Sequence, residues 1–239
     1  MSPYFAEFFG TTVLLLLGDG VVANVVLSKT KGHGAGWIVI TFGWAMAVFV
    51  GVALVGDISG AHLNPAVTVG MAAAGKLAAT EAVGYVLAQM IGAMTGATLV
   101  WAMYRHHFAL TQDPDAKLGV FCNAPAIRTI PENLLSEILG TGVLVLAALM
   151  MAPGEKGLGA VNALPIAFVV FAVGLCLGGT TGYAINPARD LGPRIMHFLL
   201  PIPGKRDSDW SYSWIPVVGP VLGGILAALI YLSISAGPR

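Results

Sequence analysis

Asn64-Pro65-Ala66 and Asn186-Pro187-Ala188 are the same tripeptide at two distant places in one chain, and Arg189 and Asp190 follow the second copy directly. A primary amide both donates and accepts hydrogen bonds, and a guanidinium offers five donors and no acceptor. Groups of this kind orient and select polar molecules; they do not by themselves make or break covalent bonds. The residues that would do so are missing as a set. Cys122 and Cys176 are far apart and form no metal-ligand pattern. His62 has no partner set for metal or acid–base chemistry. With no nucleophile–base or metal constellation, the expectation is a protein that is not an enzyme and uses no cofactor.

Composition says where such residues must work. The 239 residues are 56% hydrophobic and 10% charged, with a mean hydropathy of +0.81, whereas soluble domains carry about 25% charged residues. Twelve Lys+Arg balance twelve Asp+Glu, so no basic surface argues for nucleic acid. Apolar stretches near the ~20 residues that cross a bilayer as helix are predicted at about 4–27, 37–56, 81–104, 133–152, 161–179 and 214–235. Lys29–Gly36, Arg105–Pro131, Pro153–Gly159 and Pro201–Ser213 separate them.

Each Asn-Pro-Ala opens a shorter apolar piece, one running from Asn64 to about Ala74 and the other from Asn186 to about Phe198. Asn is a good N-cap, and Pro at the first helical position wastes no backbone donor. Two helices of this length, end to end, would make one span of about 30 Å.

The halves repeat. Ala6-Glu7-Phe8-Phe9-Gly10-Thr11 matches Ser136-Glu137-Ile138-Leu139-Gly140-Thr141, and Ser59-Gly60-Ala61-His62-Leu63-Asn64 matches Thr181-Gly182-Tyr183-Ala184-Ile185-Asn186. Ala88-Gln89-Met90-Ile91-Gly92 matches Gly219-Pro220-Val221-Leu222-Gly223. Three spans per half is an odd number, so the second half must enter the membrane from the opposite face. Interrupted helices at matching positions of inverted repeats point to the permeation site, and irregular backbone at that depth is tolerated where it lines a wet cavity. The predicted fold is an all-α integral membrane protein: six transmembrane helices plus two re-entrant half-helices in an inverted 3+3 repeat. Residues 1–239 form one channel domain, with repeat one about 1–104, a linker loop about 105–131, and repeat two about 132–239. Glu7 and Glu137 fall at equivalent places inside spans. Buried carboxylates need hydrogen bonds, so each is expected to accept them from the loop before a short helix.

Two Asn-Pro-Ala boxes on inverted three-helix repeats, with Ser59-Gly60-Ala61-His62 before the first and Arg189 after the second, resemble the aquaporin (major intrinsic protein) family. The resemblance covers essentially the whole chain. Asp190, Arg194, Pro216-Val217 and Tyr104 place it with the glycerol facilitators, the aquaglyceroporins, as that family divides. The resemblance implies a homotetramer in the cell membrane, each protomer with its own pore, and intracellular termini. It also implies a selectivity filter of Trp44, Gly174, Tyr183 and Arg189, with Tyr where Phe is commoner.

In that filter Trp44 and Tyr183 would offer an apolar corner to the carbon edge of a polyol. Gly174 would make room, and Arg189 would donate to hydroxyls from the opposite side. Carbonyls of Gly60, Ala61, His62 and Leu63, and of Gly182, Tyr183, Ala184 and Ile185, would form a ladder of acceptors, with the Asn64 and Asn186 amides donating at the centre. The positive ends of the short helices, together with Arg189, would oppose protons and cations. The expected permeants are glycerol, other small neutral solutes and some water. A water-selective pore, or one for urea, dihydroxyacetone or protonated lactic acid, is the alternative. A secondary transporter would need coupling-ion ligands at the midplane. Asp19 either lines a vestibule or ends the first helix. Intracellular termini put Lys29, Lys31, Arg105, Lys117, Arg128, Lys205 and Arg206 outside and Lys76, Lys156 and Arg239 inside, against the usual positive-inside bias.

Overall fold

A computed structural model describes residues 1–151 and 159–235; Lys156 and Arg239 lie outside the described residues. The helices are α1 (Pro3–Val26), α2 (Trp37–Ser59), α3 (Pro65–Ala73), α4 (Ala79–Leu110), α5 (Pro114–Phe121), α6 (Ile130–Met150), α7 (Leu164–Leu177), α8 (Pro187–Leu199) and α9 (Ile215–Ser235). A 3₁₀ turn, Gly159–Ala163, leads into α7. Six of these segments are long and apolar enough to cross a membrane: α1, α2, α4, α6, the 3₁₀ turn with α7, and α9. The short α3 and α8 are the two half-helices expected from the Asn-Pro-Ala boxes.

The halves are built alike. In the first, α1 packs on α2 and α4; in the second, α6 packs on α7 and α9. Close crossings at equivalent glycines hold each half together. A Cβ at Gly92 of α4 would lie 2.4 Å from the Phe8 carbonyl oxygen of α1, and one at Gly223 of α9 would lie 2.4 Å from that of Ile138 in α6. In lipid, helices have no water-driven force between them, and small residues that let backbones touch take its place. The outer faces of the bundle carry exposed Leu87, Ile91, Met103, Phe168 and Leu229, as a hydrocarbon solvent allows. Each half-helix bridges the halves: α3 packs on α9 as well as on α4, and α8 packs on α4 as well as on α9.

The stretch read as a linker loop is largely helical. The first four residues beyond the expected end of the third span, and two more, continue α4 to Leu110, and α5 then occupies 114–121. Asp113 caps α5 by accepting from the Asp115 N–H at 2.8 Å, and Pro114 opens it. Leu118, Val120 and Phe121 are buried, and α5 packs on both α1 and α8. Its charged residues and short length disguise a buried helix as a loop. The Lys117 side chain is buried along its stem and donates from Nζ to the Pro203 carbonyl.

Candidate functional site

Two irregular segments, residues 60–64 and 182–186, run into the bundle from opposite ends and meet at the half-helix starts. Each half-helix is capped by its own asparagine. Asn64 Oδ1 accepts from the Ala66 N–H at 2.8 Å, and Asn186 Oδ1 accepts from the N–H groups of Ala188 and Arg189 at 3.0 and 3.2 Å. The amide nitrogens then cross over. Asn64 Nδ2 donates to the Ile185 carbonyl and Asn186 Nδ2 to the Leu63 carbonyl, both at 2.8 Å. The junction is thus a reciprocal pair of hydrogen bonds between halves.

Above each asparagine the backbone alternates through left-handed conformations. Gly60, Ala61 and Leu63 have φ of 79°, 47° and 50°, and Gly182, Tyr183 and Ile185 have 82°, 44° and 45°. Non-glycine residues hold such angles only when the surroundings over-determine them. Here the buried carboxylates do so. Glu7 Oε1 accepts from Ser59 Oγ (2.6 Å) and the His62 N–H (2.9 Å), and Oε2 accepts from the Leu63 N–H (2.7 Å) and Gln89 Nε2 (2.8 Å). Glu137 accepts from Thr181 Oγ1 (2.6 Å) and the Ala184 N–H (3.0 Å) on Oε1, and from the Ile185 N–H (2.8 Å) on Oε2. With the N–H groups turned back onto a carboxylate, the carbonyls are left to face the other way. The Leu63 and Ile185 carbonyls each accept one bond from the opposing asparagine amide and, with two lone pairs, keep capacity for a second.

A cavity of about 210 Å³ runs along these segments, from Trp44, Tyr183 and Arg189 at one end to Met71, Met151 and Asn162 at the other. Of the expected pore residues, Gly60, Ala61, His62, Leu63, Ala184 and Ile185 line it, together with Asn64 and Asn186. Gly182 does not; it lies behind the lining, where a Cβ would meet Asn123 Nδ2 at 2.9 Å. Pro65, Ala66, Pro187 and Ala188 are buried helix starts, away from the wall.

The three bulky members of the expected filter, Trp44, Tyr183 and Arg189, line the same cavity. Arg189 Cζ lies over the Trp44 ring, 4.4 Å from its centroid. Such a contact is favourable in a desolvated site. Gly174 is not on the cavity wall. The ring of Tyr183 fills the space it leaves, with Cζ 2.9 Å from where a Cβ would be, and Gly174 accepts from Trp37 Nε1 at 3.1 Å. Arg189 Nη1, Trp44 Nε1 and the Tyr183 hydroxyl have no hydrogen-bond partner among the described residues. All three are donors held at one end of the cavity.

Asp190 and Arg194 turn inward instead of toward the cavity. They form a fully buried ion pair one helical turn apart, at 2.8 Å. Asp190 Oδ2 also accepts from the Asn123 N–H at 2.7 Å, and Arg194 donates to the carbonyls of Ser208, Asp209 and Asn123. These contacts fix α8, and hence Arg189, to the loops on its side. Tyr104 packs against the core, 5.7 Å from the His107 ring, Pro216 is buried at the start of α9, and Val217 is half-buried. The His62 ring contacts Thr68 Oγ1 at 3.1 Å, and His62 lies on the cavity wall. Asp19 neither ends the first helix nor lines the cavity. Helix α1 continues past it to Val26, its side chain is fully buried, and it is not on the wall.

Sequence reasoning missed Gln89, Asn123 and Ser208 as bracing groups. Gln89 carries a signal, an amide inside an apolar span. Asn123 and Ser208 carry none, because only the fold brings their backbones to Arg194.

A profile of the family described as Major intrinsic protein matches residues 1–231. The chain is 58% identical over 231 residues to a probable glycerol uptake facilitator protein of Thermotoga maritima, covering 97% of this chain and 98% of that one. It is 53% identical over 233 residues to the glycerol uptake facilitator protein of Streptococcus pneumoniae, covering 97% and 98%. The X-ray structure of the aquaglyceroporin from Plasmodium falciparum superposes with a TM-score of 0.85 at 27% identity, covering 98% of this chain and 96% of that one.

Proposed function

The chain belongs to the major intrinsic protein family, and from that premise we propose that it is a passive channel for glycerol and other small uncharged solutes, with some water permeation. The single observation that supports this most is the two-sided cavity. One side presents the backbone of residues 60–63 and 183–185, in which the N–H groups of His62 and Leu63 are committed to Glu7 and those of Ala184 and Ile185 to Glu137, leaving carbonyls for a solute. The other sides are apolar, with Leu14, Val48, Val52 and Val170 among them. A polyol has the same two-sidedness, a row of hydroxyls on a carbon edge.

At the narrow end the solute's hydroxyls accept from Arg189 Nη1 and the Tyr183 hydroxyl, and its carbon edge slides against the Trp44 and Tyr183 rings. Gly174 contributes indirectly, by giving the Tyr183 ring somewhere to lie. At the centre each asparagine amide spends one N–H on the opposite half and keeps a second for the solute. The half-helices present positive ends there, and with Arg189 they oppose protons and cations. The protein works as a homotetramer in the cell membrane, without enzymatic chemistry, cofactor or nucleic-acid partner, and its repeats divide near the 105–131 connection.

The test is stopped-flow light scattering on proteoliposomes, with an inward glycerol gradient and, separately, an impermeant osmolyte. Fast glycerol entry, lost in Arg189→Met together with selectivity, is the expected result. Fast water shrinkage with no glycerol re-entry would make it a water-selective pore instead.

A further inference from the structure

Gly18 lies in α1 where its backbone meets the ring of Trp44 on α2. A Cβ at residue 18 would fall 2.2 Å from Trp44 Cζ3, and 2.4 Å from both Cε3 and Cη2. Near-equal distances to three consecutive ring atoms put that contact on the face of the indole, not on its edge. Real Cβ atoms essentially never approach closer than 3.0 Å. A side chain at 18 and Trp44 in its present seat therefore exclude one another. The ring has little room to yield, since it is 4% exposed and Arg189 Cζ stands 4.4 Å from its centroid. Close-packed interiors transmit such a displacement instead of absorbing it.

We infer that Gly18 is a specificity-determining residue: by omitting a side chain it seats Trp44 against α1 and so sets the width of the passage beside Arg189 and Tyr183. The inference rests on the reading of the cavity as the conduction path. Gly18 touches no solute; it is a positioning residue that acts through Trp44. The same device recurs on the other wall. A Cβ at Gly178 would lie 2.5 Å from Tyr183 Cδ1, and one at Gly174 would lie 2.9 Å from Tyr183 Cζ. Both aromatic walls thus rest in sockets made by missing side chains. A methyl at 18 lifts the indole off α1 toward Arg189, which obstructs a solute as broad as glycerol more than it obstructs water.

The experiment compares glycerol and water permeabilities of proteoliposomes holding wild type, Gly18→Ala, Trp44→Phe, the double variant and Gly20→Ala. Gly20 is the control on the same helix, because a Cβ there meets only Val100 Cγ2, at 4.0 Å. Since pore width governs this kind of selectivity, Gly18→Ala is expected to lower glycerol permeability roughly tenfold and water permeability no more than about twofold. Gly20→Ala leaves both unchanged. Trp44→Phe removes Cζ3 and Cη2, two of the three ring atoms the new methyl meets, and shortens the ring, so the double variant regains glycerol permeability to within about threefold of wild type. A Gly18→Ala channel with an unaltered ratio, or one whose two fluxes fall together without rescue by Trp44→Phe, overturns the inference. If Gly18→Ala does not insert, the double variant against Trp44→Phe alone decides: an equal glycerol-to-water ratio supports the inference, because the methyl then has no indole to displace, and a lower one overturns it. Should Trp44→Phe itself leave the ratio at the wild-type value, the placing of the passage at Trp44 fails, and the inference with it.

Discussion

The segment leading into α3 and the segment leading into α8 solve one problem with different means. Both hang left-handed backbone from a buried glutamate and end at a capping asparagine. In the first half the glutamate has four donors, because Gln89 reaches it from α4 and also donates to Thr68 Oγ1 at 2.9 Å. Tyr85 adds a bond to the Ser59 carbonyl at 3.0 Å. In the second half the residue matched to Gln89 is Pro220, which has no side-chain donor, and Glu137 keeps three partners. The deficit is made good further along by Asp190, Arg194 and Asn123. Asn123 Nδ2 donates to the Thr181 carbonyl at 3.0 Å, the counterpart of the bond from Tyr85. The first half is braced by neutral amides and a phenol, the second by a buried ion pair. That difference tracks the cation: only the second half must hold a guanidinium, Arg189, beside the cavity, and its helix is anchored by charge on the opposite face.

Breaking the ion pair tests this most severely. Asp190→Ala leaves Arg194 charged, buried and unpaired, which costs about 3–5 kcal/mol. The protein is expected to lose most of its thermal stability in detergent, and a modest effect would show that the carbonyls around Arg194 suffice alone. Gln substitution at the two glutamates sharpens the comparison. Each loses charge-assisted bonds worth roughly 1.5–3 kcal/mol apiece, and Glu7→Gln is expected to be the more damaging because it faces one donor more than Glu137→Gln. Equal losses in unfolding temperature would mean that Gln89 contributes nothing to the asymmetry.

Gln89→Met isolates that contribution. It removes donors to Glu7 and Thr68 and should destabilise by about 1–3 kcal/mol, with glycerol and water fluxes per folded channel little changed. The smallest effect is expected at the rim. Arg128 pairs with Asp209 at the surface, with side chains 46% and 5% exposed. Burial alone would raise the Asp209 carboxyl, but the hydrogen bond and charge of Arg128 hold it below its ordinary value. A depressed carboxylate adds stability above the unfolded-state pKa and loses it as pH falls through the folded one. Arg128→Met should therefore cost no more than about 1 kcal/mol at neutral pH, and the difference between the two proteins should shrink on acidification. A loss that persists at low pH would point to the cation's contact with the Tyr212 ring, 5.1 Å away, as the larger part.

The sequence by itself determined the class, the six spans, the half-helix starts at Asn64 and Asn186 and the equivalence of Glu7 with Glu137. These follow from local or periodic facts: apolar length against bilayer thickness, capping chemistry, and repeated residues at matching places. The resemblance to the family, carried over by spacing from the two boxes, pointed to Trp44, Tyr183 and Arg189, which line one cavity. What the tertiary structure alone decided is how these groups face one another. The placing of Arg189 over Trp44 and the crossing of asparagine amides to Leu63 and Ile185 join segments more than a hundred residues apart, and the burial of Gly174 behind Tyr183 depends on how the chain after α7 folds back on it. Helix α5 escaped notice because its burial is conferred by α1 and α8, not by its own composition. Gly18 escaped for a like reason. A missing side chain leaves no pattern in a sequence already rich in glycine, and its meaning comes only from the ring that occupies the space.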